Sequence, residues 1–324
     1  MLPILTLFPT PSATRSPVLS GRMHLLVDGI RPAAQAEHDP QQEAPMAEQM
    51  TVVLGERRYV VERHWGVTPT SVTLGLPSQV AVDKADRVHL YQRHGPAVLV
   101  FEPDGRFAYT YGEAVADPHG IYRDPADRMF LVDRDAHQVI VTTPDGKELF
   151  RLGERHRPRW GAPFNHPTDA AVDAEGRIYV SDGYGNAMVH RFSADGRHEL
   201  SWGRLGRGPG QFMTPHAVWV DRRGRVLVGD RENGRIQLFT AEGAFLLSWD
   251  GFENPMDIWI DPATDLIYVT DQVPSLHLLS GDGERLGRCR PSLNGAHGIF
   301  GDSRGNIFIS EMNPPSLTKL RLLP

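Results

Sequence analysis

Short apolar runs alternate along the chain with polar turns rich in Asp, Gly and Arg, and no stretch sustains a 3.6-residue apolar period. That pattern predicts short strands and almost no helix. The clearest instance is Met213–Phe239, MTPHAVWVDRRGRVLVGDRENGRIQLF. Pro215–His216 opens an apolar run, DRRGR makes a turn, Val226–Gly229 forms a second run ending at Asp230, and a tight turn at Arg231–Asn233 leads to a third strand over Gly234–Phe239. Gly224 supplies the positive φ such a turn favours.

The phrase occurs six times. It begins at Pro77-Ser78, Pro118-His119, Pro167-Thr168, Pro215-His216, Pro255-Met256 and Ala296-His297, so successive starts lie 41, 49, 48, 40 and 41 residues apart. Each has an Asp after its first strand (Asp83, Asp124, Asp173, Asp221, Asp261, Asp302). Each second strand (VHLY, MFLV, IYVS, VLVG, IYVT, IFIS) is followed by an acid or amide: Gln92, Asp133, Asp182, Asp230, Asp271 or Glu311. A period of about 40–50 residues with several strands per unit predicts an all-β, six-bladed β-propeller. The last unit has chain for only three strands, whereas Arg58–Trp65 (RYVVERHW) looks like a fourth strand placed ahead of the first unit. The N-terminal strand is therefore expected to complete the final blade and close the ring, which removes sheet edges.

The slot after each opening residue holds Ser78, His119, Thr168, His216, Met256 and His297. Histidine thus falls in blades two, four and six. Equivalent positions on alternate blades of a six-fold ring lie about 120° apart. If the slot faces the channel, three imidazoles converge on one point, the ligand set of a catalytic zinc with an open fourth position. A lone histidine at a strand start is more often structural. The remaining histidines, among them His64, His89, His94, His137, His156, His166, His190, His198 and His277, share no slot and are read that way.

The residues just past the second strand should sit at the channel mouth. They are Arg93, Arg134, Gly183, Arg231, Gln272 and Met312, with Tyr184 one step further in blade three. Guanidiniums around a tyrosine and a dication suggest a site for an anionic substrate. Neighbouring positive charge favours the phenolate, which makes Tyr184 a candidate general base. The plainer readings are surface ion pairs for the arginines and a packed loop aromatic for Tyr184.

These residues resemble a known family. SDGYGNAMVHRF, TPHAVWV, GDRENGRIQLF, RLGRGPGQF and the DQVP of blade five look like the catalytic propeller of peptidyl-α-hydroxyglycine α-amidating lyases, built from NHL-type repeats. The resemblance covers about residues 60–320. It implies zinc on His119, His216 and His297, a catalytic tyrosine at Tyr184, and active-site arginines at Arg231 and Arg93. Arg134, Gln272 and Met312 are then expected to contact substrate. The implied reaction cleaves the C–N bond of an N-acyl or peptidyl α-hydroxyglycine to an amide and glyoxylate. Two alternatives stay open: a metal-dependent lactone or ester hydrolase on the same centre, and a non-enzymatic NHL scaffold that binds a protein.

The sequence departs from the family at its third zinc histidine. Met-Pro-His-Asp is replaced by Gly295-Ala296-His297-Gly298. The Met lies near the family's substrate pocket and the Asp helps hold a structural Ca2+, so a different pocket is expected and calcium is doubtful. Arg134 is an extra arginine. The single Cys289 cannot form the disulfides of animal members. Together these point to a bacterial-type relative whose substrate need not be a peptide; the expected partner is a small-molecule or peptide substrate carrying a carboxylate.

Composition narrows the remainder. At 324 residues one large domain suffices, and a net charge of −6 gives no basic surface for nucleic acid. No apolar stretch approaches about 18 residues, so no membrane span is expected. Residues 1–50, rich in Pro, Ser, Ala, Gln and Glu, carry no repeat and read as a disordered or non-native extension, with Met46 or Met50 as alternative starts. The opening MLPILTLFPTPSATRSP lacks a basic segment and is broken by prolines. It is a poor signal peptide, which with the lone cysteine points to the cytoplasm while leaving secretion open.

Overall fold

The computed structural model describes residues 49–292 and 295–324; the expectation for residues 1–50 falls, up to residue 48, outside them. Six antiparallel sheets are present, five of four strands and one of five. The chain is a six-bladed β-propeller. The inner strands are Pro77–Val82, Pro118–Arg123, Asp169–Val172, Pro215–Val220, Pro255–Ile260 and Ala296–Gly301. Their helix content is nil, and the described residues hold a single helical turn, the 3-10 turn Arg231–Asn233. No described helix is long and apolar enough to cross a membrane.

Burial follows strand position. The second strands, such as Met129–Asp133 and Ile178–Asp182, are buried at every residue. They run apolar throughout because both faces pack against neighbouring blades. The outermost strands, such as His198–Trp202 and Phe245–Asp250, are largely exposed and more mixed in composition.

The ring closes as the repeat arithmetic requires, with two differences. The closing strand is Arg57–Glu62, which pairs with Pro315–Leu322. It ends before Trp65, whose ring instead packs on Phe101 and Phe308. A further strand, Thr51–Leu54, hairpins onto it through Gly55 and makes the closing sheet five-stranded.

Each turn after an inner strand is built by its Asp. In Asp83, Asp173 and Asp221 one carboxylate oxygen accepts the backbone N–H groups two and four residues on, and the other accepts the Nε of the arginine at +4. Asp124 does the same with Arg128. Such side-chain-to-backbone bonds are why Asp recurs there.

Candidate metal centre at the channel mouth

The slot residue sits where the ladder between first and second strand skips a register step. The pairing jumps from Pro77 to Gln79, Pro118 to Ile121, Pro215 to Ala217, Pro255 to Asp257 and Ala296 to Gly298. A β-bulge of this kind re-aims a side chain. Here it turns Ser78, His119, His216, Met256 and His297 out of the ladder.

His119, His216 and His297 come together. One ligand nitrogen from each lies within 4.8 Å of the other two, and all three residues are buried. Their ring centroids are 4.8, 5.0 and 5.1 Å apart. His119 Nδ1 donates to the Thr168 carbonyl and His216 Nδ1 to the Met256 carbonyl, each at 2.7 Å. Thr168 and Met256 are the slot residues of the next blades. His297 Nδ1 has the Ser78 carbonyl in the same relation, although no bond of ordinary geometry closes there. A proton held on Nδ1 leaves the Nε2 lone pair free, the arrangement found in metal-ligating histidines.

Burial pushes all three imidazoles below their ordinary range, and for His297 down to about 3. The neighbouring imidazoles add to this for His119 and His216, and the Arg93 guanidinium for all three. The triad is therefore neutral at pH 7, as a metal requires. Three buried neutral imidazoles with free, converging nitrogens fit a divalent ion.

Tyr184 lies over this centre. Its hydroxyl is 3.0 Å from His119 Nε2 and 3.1 Å from His216 Nε2, and Arg231 Nη1 donates to it at 3.2 Å. Two guanidiniums sit on the phenol ring, Arg134 at 5.4 Å and Arg231 at 5.5 Å from its centroid. The loop is fixed from below by Asp182, which accepts the Asn165 N–H and the Asn186 side chain. Gly183 and Gly185 are required by close approach: a Cβ on Gly183 would stand 2.2 Å from the Pro215 carbonyl oxygen, and one on Gly185 would stand 2.4 Å from Asn165.

Three more of the acids after the second strands act alike. Asp133 accepts the N–H groups of Ala116 and Asp117, Asp230 that of Met213, and Asp271 that of Glu253. Each pins the loop leading into its own blade's slot. Asp117, held this way, faces Arg134 at 2.6 Å and Arg93 at 3.8 Å. The sequence alone does not mark it, because its role depends on two arginines from two different blades.

The remaining expected residues divide. Arg93 is half-buried, donates from Nε to the Pro118 carbonyl, and stands within electrostatic reach of all three histidines. Arg134 is already committed to Asp117 and Asp135. Gln272 is exposed, and its side-chain oxygen is taken by Asn254. Met312 is held through its backbone to Gly295. Among the described contacts neither reaches the triad.

Gly298 has a physical reason of its own. A Cβ there would lie 2.6 Å from Gln79 Cα, so no larger residue fits without movement. The carboxylates in this layer come from blades three and five instead. Asp169 accepts the Val218 N–H, and Asp257 accepts the Ile258 and Ile299 N–H groups and the Gln79 amide. Burial outweighs these donors and pushes both carboxyls up, Asp257 further because Asp169 is its neighbour.

Comparison with known proteins agrees with this fold. A family model described as the NHL repeat matches residues 164–192. The chain carries an NHL repeat and resembles the amidating lyases. It is 27% identical over 298 residues to peptidyl-α-hydroxyglycine α-amidating lyase 1 of Drosophila melanogaster, covering 80% of this chain and 54% of that protein. It is 30% identical over 224 residues to NHL repeat-containing protein 3 of Homo sapiens, covering 63% of this chain and 64% of the relative. The chain thus spans between half and two thirds of the length of these relatives. Among solved structures it superposes on a gluconolactonase from Xanthomonas campestris with a TM-score of 0.62 at 18% identity, covering 91% of this chain and 99% of that one. At that identity the likeness speaks for the propeller fold alone.

Proposed function

We propose that the chain is a metal-dependent lyase of N-acyl-α-hydroxyglycines, releasing an amide and glyoxylate. One observation carries the reading. The Tyr184 hydroxyl lies 3.0 and 3.1 Å from the Nε2 atoms of His119 and His216 and accepts a hydrogen bond from the Arg231 guanidinium, so a proton-transfer group, a metal-ligand set and a cation share one point.

His119, His216 and His297 would hold the ion, most simply zinc given three imidazoles and an open side. Zinc there would supply a Lewis acid for the carbinol oxygen. The rest falls to side chains of this chain. Tyr184 Oη, which accepts a hydrogen bond from Arg231 and whose ring lies under the guanidiniums of Arg134 and Arg231, takes the proton of the carbinol hydroxyl. As the carbonyl forms, the C–N bond breaks and its electron pair passes to nitrogen, which receives the same proton. No proton is gained or lost overall.

Arg93 takes the carboxylate that leaves as glyoxylate. Its Nη atoms make no hydrogen bond among the described residues, and its nearest carboxylate is Asp117 at 3.8 Å. Arg134 is assigned to holding the Tyr184 ring rather than the substrate, since its guanidinium lies over that ring and ion-pairs with Asp117 and Asp135. Gln272 and Met312, whose described contacts do not reach the triad, would meet only the outer part of the acyl group.

The test is glyoxylate release from α-hydroxyhippurate by metal-loaded protein, with chelator as control. Release that chelator abolishes is the expected result. No release, with turnover of a lactone or ester panel instead, would replace the lyase by a hydrolase on the same centre. Purified protein free of metal and inert towards both would leave a binding scaffold.

A further inference from the structure

The inner strands carry a second feature three residues beyond the slot, about 10 Å further along the channel. That position holds Ala81, Tyr122, Ala171, Trp219, Trp259 and Phe300. Four of six blades thus present an aromatic ring at the mouth opposite the histidines. Trp219 stands edge-on to Tyr122 at 5.2 Å and lies 5.9 Å from Phe300, which lies 6.1 Å from Trp259. The rings border a pocket of about 630 Å³, whose rim is formed by the polar turns after the inner strands. The backbone makes room for them: a Cβ on Gly301 would stand 2.1 Å from the Trp259 ring.

The charges at this mouth are unevenly committed. Seven aspartates border it, and six face a guanidinium: Asp83, Asp173 and Asp221 their +4 arginines, Asp86 Arg304, Asp261 Arg57 and Asp265 Arg222. The seventh, Asp302, is bonded into its own turn by Asn306. Two lining cations meet no carboxylate among the described residues. Lys84 is exposed at the rim. Arg123 is half-buried against Phe300 at 5.9 Å and gives hydrogen bonds only to the carbonyls of Val82 and Asp124. A half-buried guanidinium with unused donors beside a wall of rings recognises one chemistry well: a flat apolar group ending in a carboxylate.

We propose that the mouth opposite the histidine triad is a second small-molecule site, which takes a planar aromatic carboxylate. The rings of Trp219, Trp259 and Phe300 hold its apolar body. Arg123 takes its carboxylate, with Lys84 closing from the rim. The site is independent of the lyase reading, since it shares no residue with the triad.

The probe is 2-naphthoate, titrated against tryptophan fluorescence and by calorimetry, with uncharged 2-naphthamide as its control. Saturable binding of one naphthoate per chain is expected, at least tenfold tighter than the amide. The same affinity is expected in His216→Ala, which alters only the other mouth. Arg123→Gln should bring naphthoate down to the level of the amide, and Arg123→Lys should restore part of the difference. Lys84→Gln, at an exposed residue, gives a second reading whatever the fold of the Arg123 variants, with an expected two- to threefold loss. Equal binding of naphthoate and naphthamide by the wild-type chain would overturn the proposal. So would absence of saturation at millimolar probe, or loss of binding in His216→Ala, which would place the probe at the histidine mouth.

Discussion

His119 and Thr168 hold the same register position in neighbouring blades, and the imidazole Nδ1 of one donates to the backbone carbonyl of the other at 2.7 Å. The pair fixes the His119 tautomer, so its Nε2 lone pair faces the axis. Thr168 is itself locked: its hydroxyl bonds the Pro215 carbonyl at 2.8 Å and Ser181 Oγ at 2.7 Å. Thr168→Val removes these bonds with little change of shape. It should cost about 1–3 kcal/mol, because buried partners are left unpaired. Metal affinity should fall about tenfold as the carbonyl loses its anchor. Urea unfolding and competition with a chelator measure the two. An unchanged metal affinity would show that the carbonyl contact does not orient the imidazole.

Removing a ligand is the harsher change. His216→Ala should take the purified protein from about one ion per chain to below about a tenth, by elemental analysis. The blade itself should survive, because the His216 side chain bonds only Met256 and Tyr184.

Tyr184 separates chemistry from structure. Tyr184→Phe deletes one oxygen from a ring that is 38% exposed, so stability should change by less than about 1 kcal/mol. Glyoxylate release should fall by about 10²–10⁴ if the hydroxyl moves the proton. Gly183→Ala should lower release too, for a different reason. Its new methyl group collides with the Pro215 backbone, so the loop must lift, and a cost of about 1–3 kcal/mol accompanies the lost activity. Rates and denaturation midpoints on both variants distinguish the two causes.

The repeat, the ring of six and the alternate-blade histidines could all be read from the sequence, because each depends on spacing and residue type. Gly224, Asp83 and the Asp after every inner strand act locally, and local chemistry is legible. The bulge at the slot was not, although it decides where His119 and His297 point, because no residue type marks it. Roles that join distant blades were equally hidden. Asp117 between Arg93 and Arg134 is one case. The stacking of Arg134 on the face of Tyr184 is another. The strand Thr51–Leu54 escaped notice because it precedes the repeat and has no counterpart in other blades.

The two arginines should fail differently. Arg93→Met should raise KM for a hydroxyglycine carboxylate about ten- to a hundredfold, from loss of a charge-assisted bond. It should do much less to the corresponding carboxamide substrate. Arg134→Met should act mainly on kcat, because its guanidinium lies over the ring of Tyr184. The opposite split would exchange their roles.

The buried aspartates set a pH dependence. Folding raises the carboxyls of Asp169 and Asp257 above the unfolded value near 4, so between those limits the folded chain binds more protons than the unfolded one. Stability from this pair is therefore greatest at low pH and is lost as pH rises. The histidine triad acts in the opposite sense: its folded values lie below 6.5, so it costs stability as pH falls below 6.5. Above that pH the imidazoles are neutral folded or unfolded, and the aspartates are left as the opposing pair. In chelator, the unfolding free energy from urea titrations should fall between about pH 6.5 and pH 8, through the Asp169 value of about 7, by up to about 1.4 kcal/mol per pH unit for each group still titrating. Asp169→Asn removes one of the two groups and its repulsion of the other. The variant should be more stable than the parent at pH 8 and should lose roughly half of that slope. A parent with a flat profile over this range, or a variant with an undiminished slope, would mean that the pair enters the folded state already ionised.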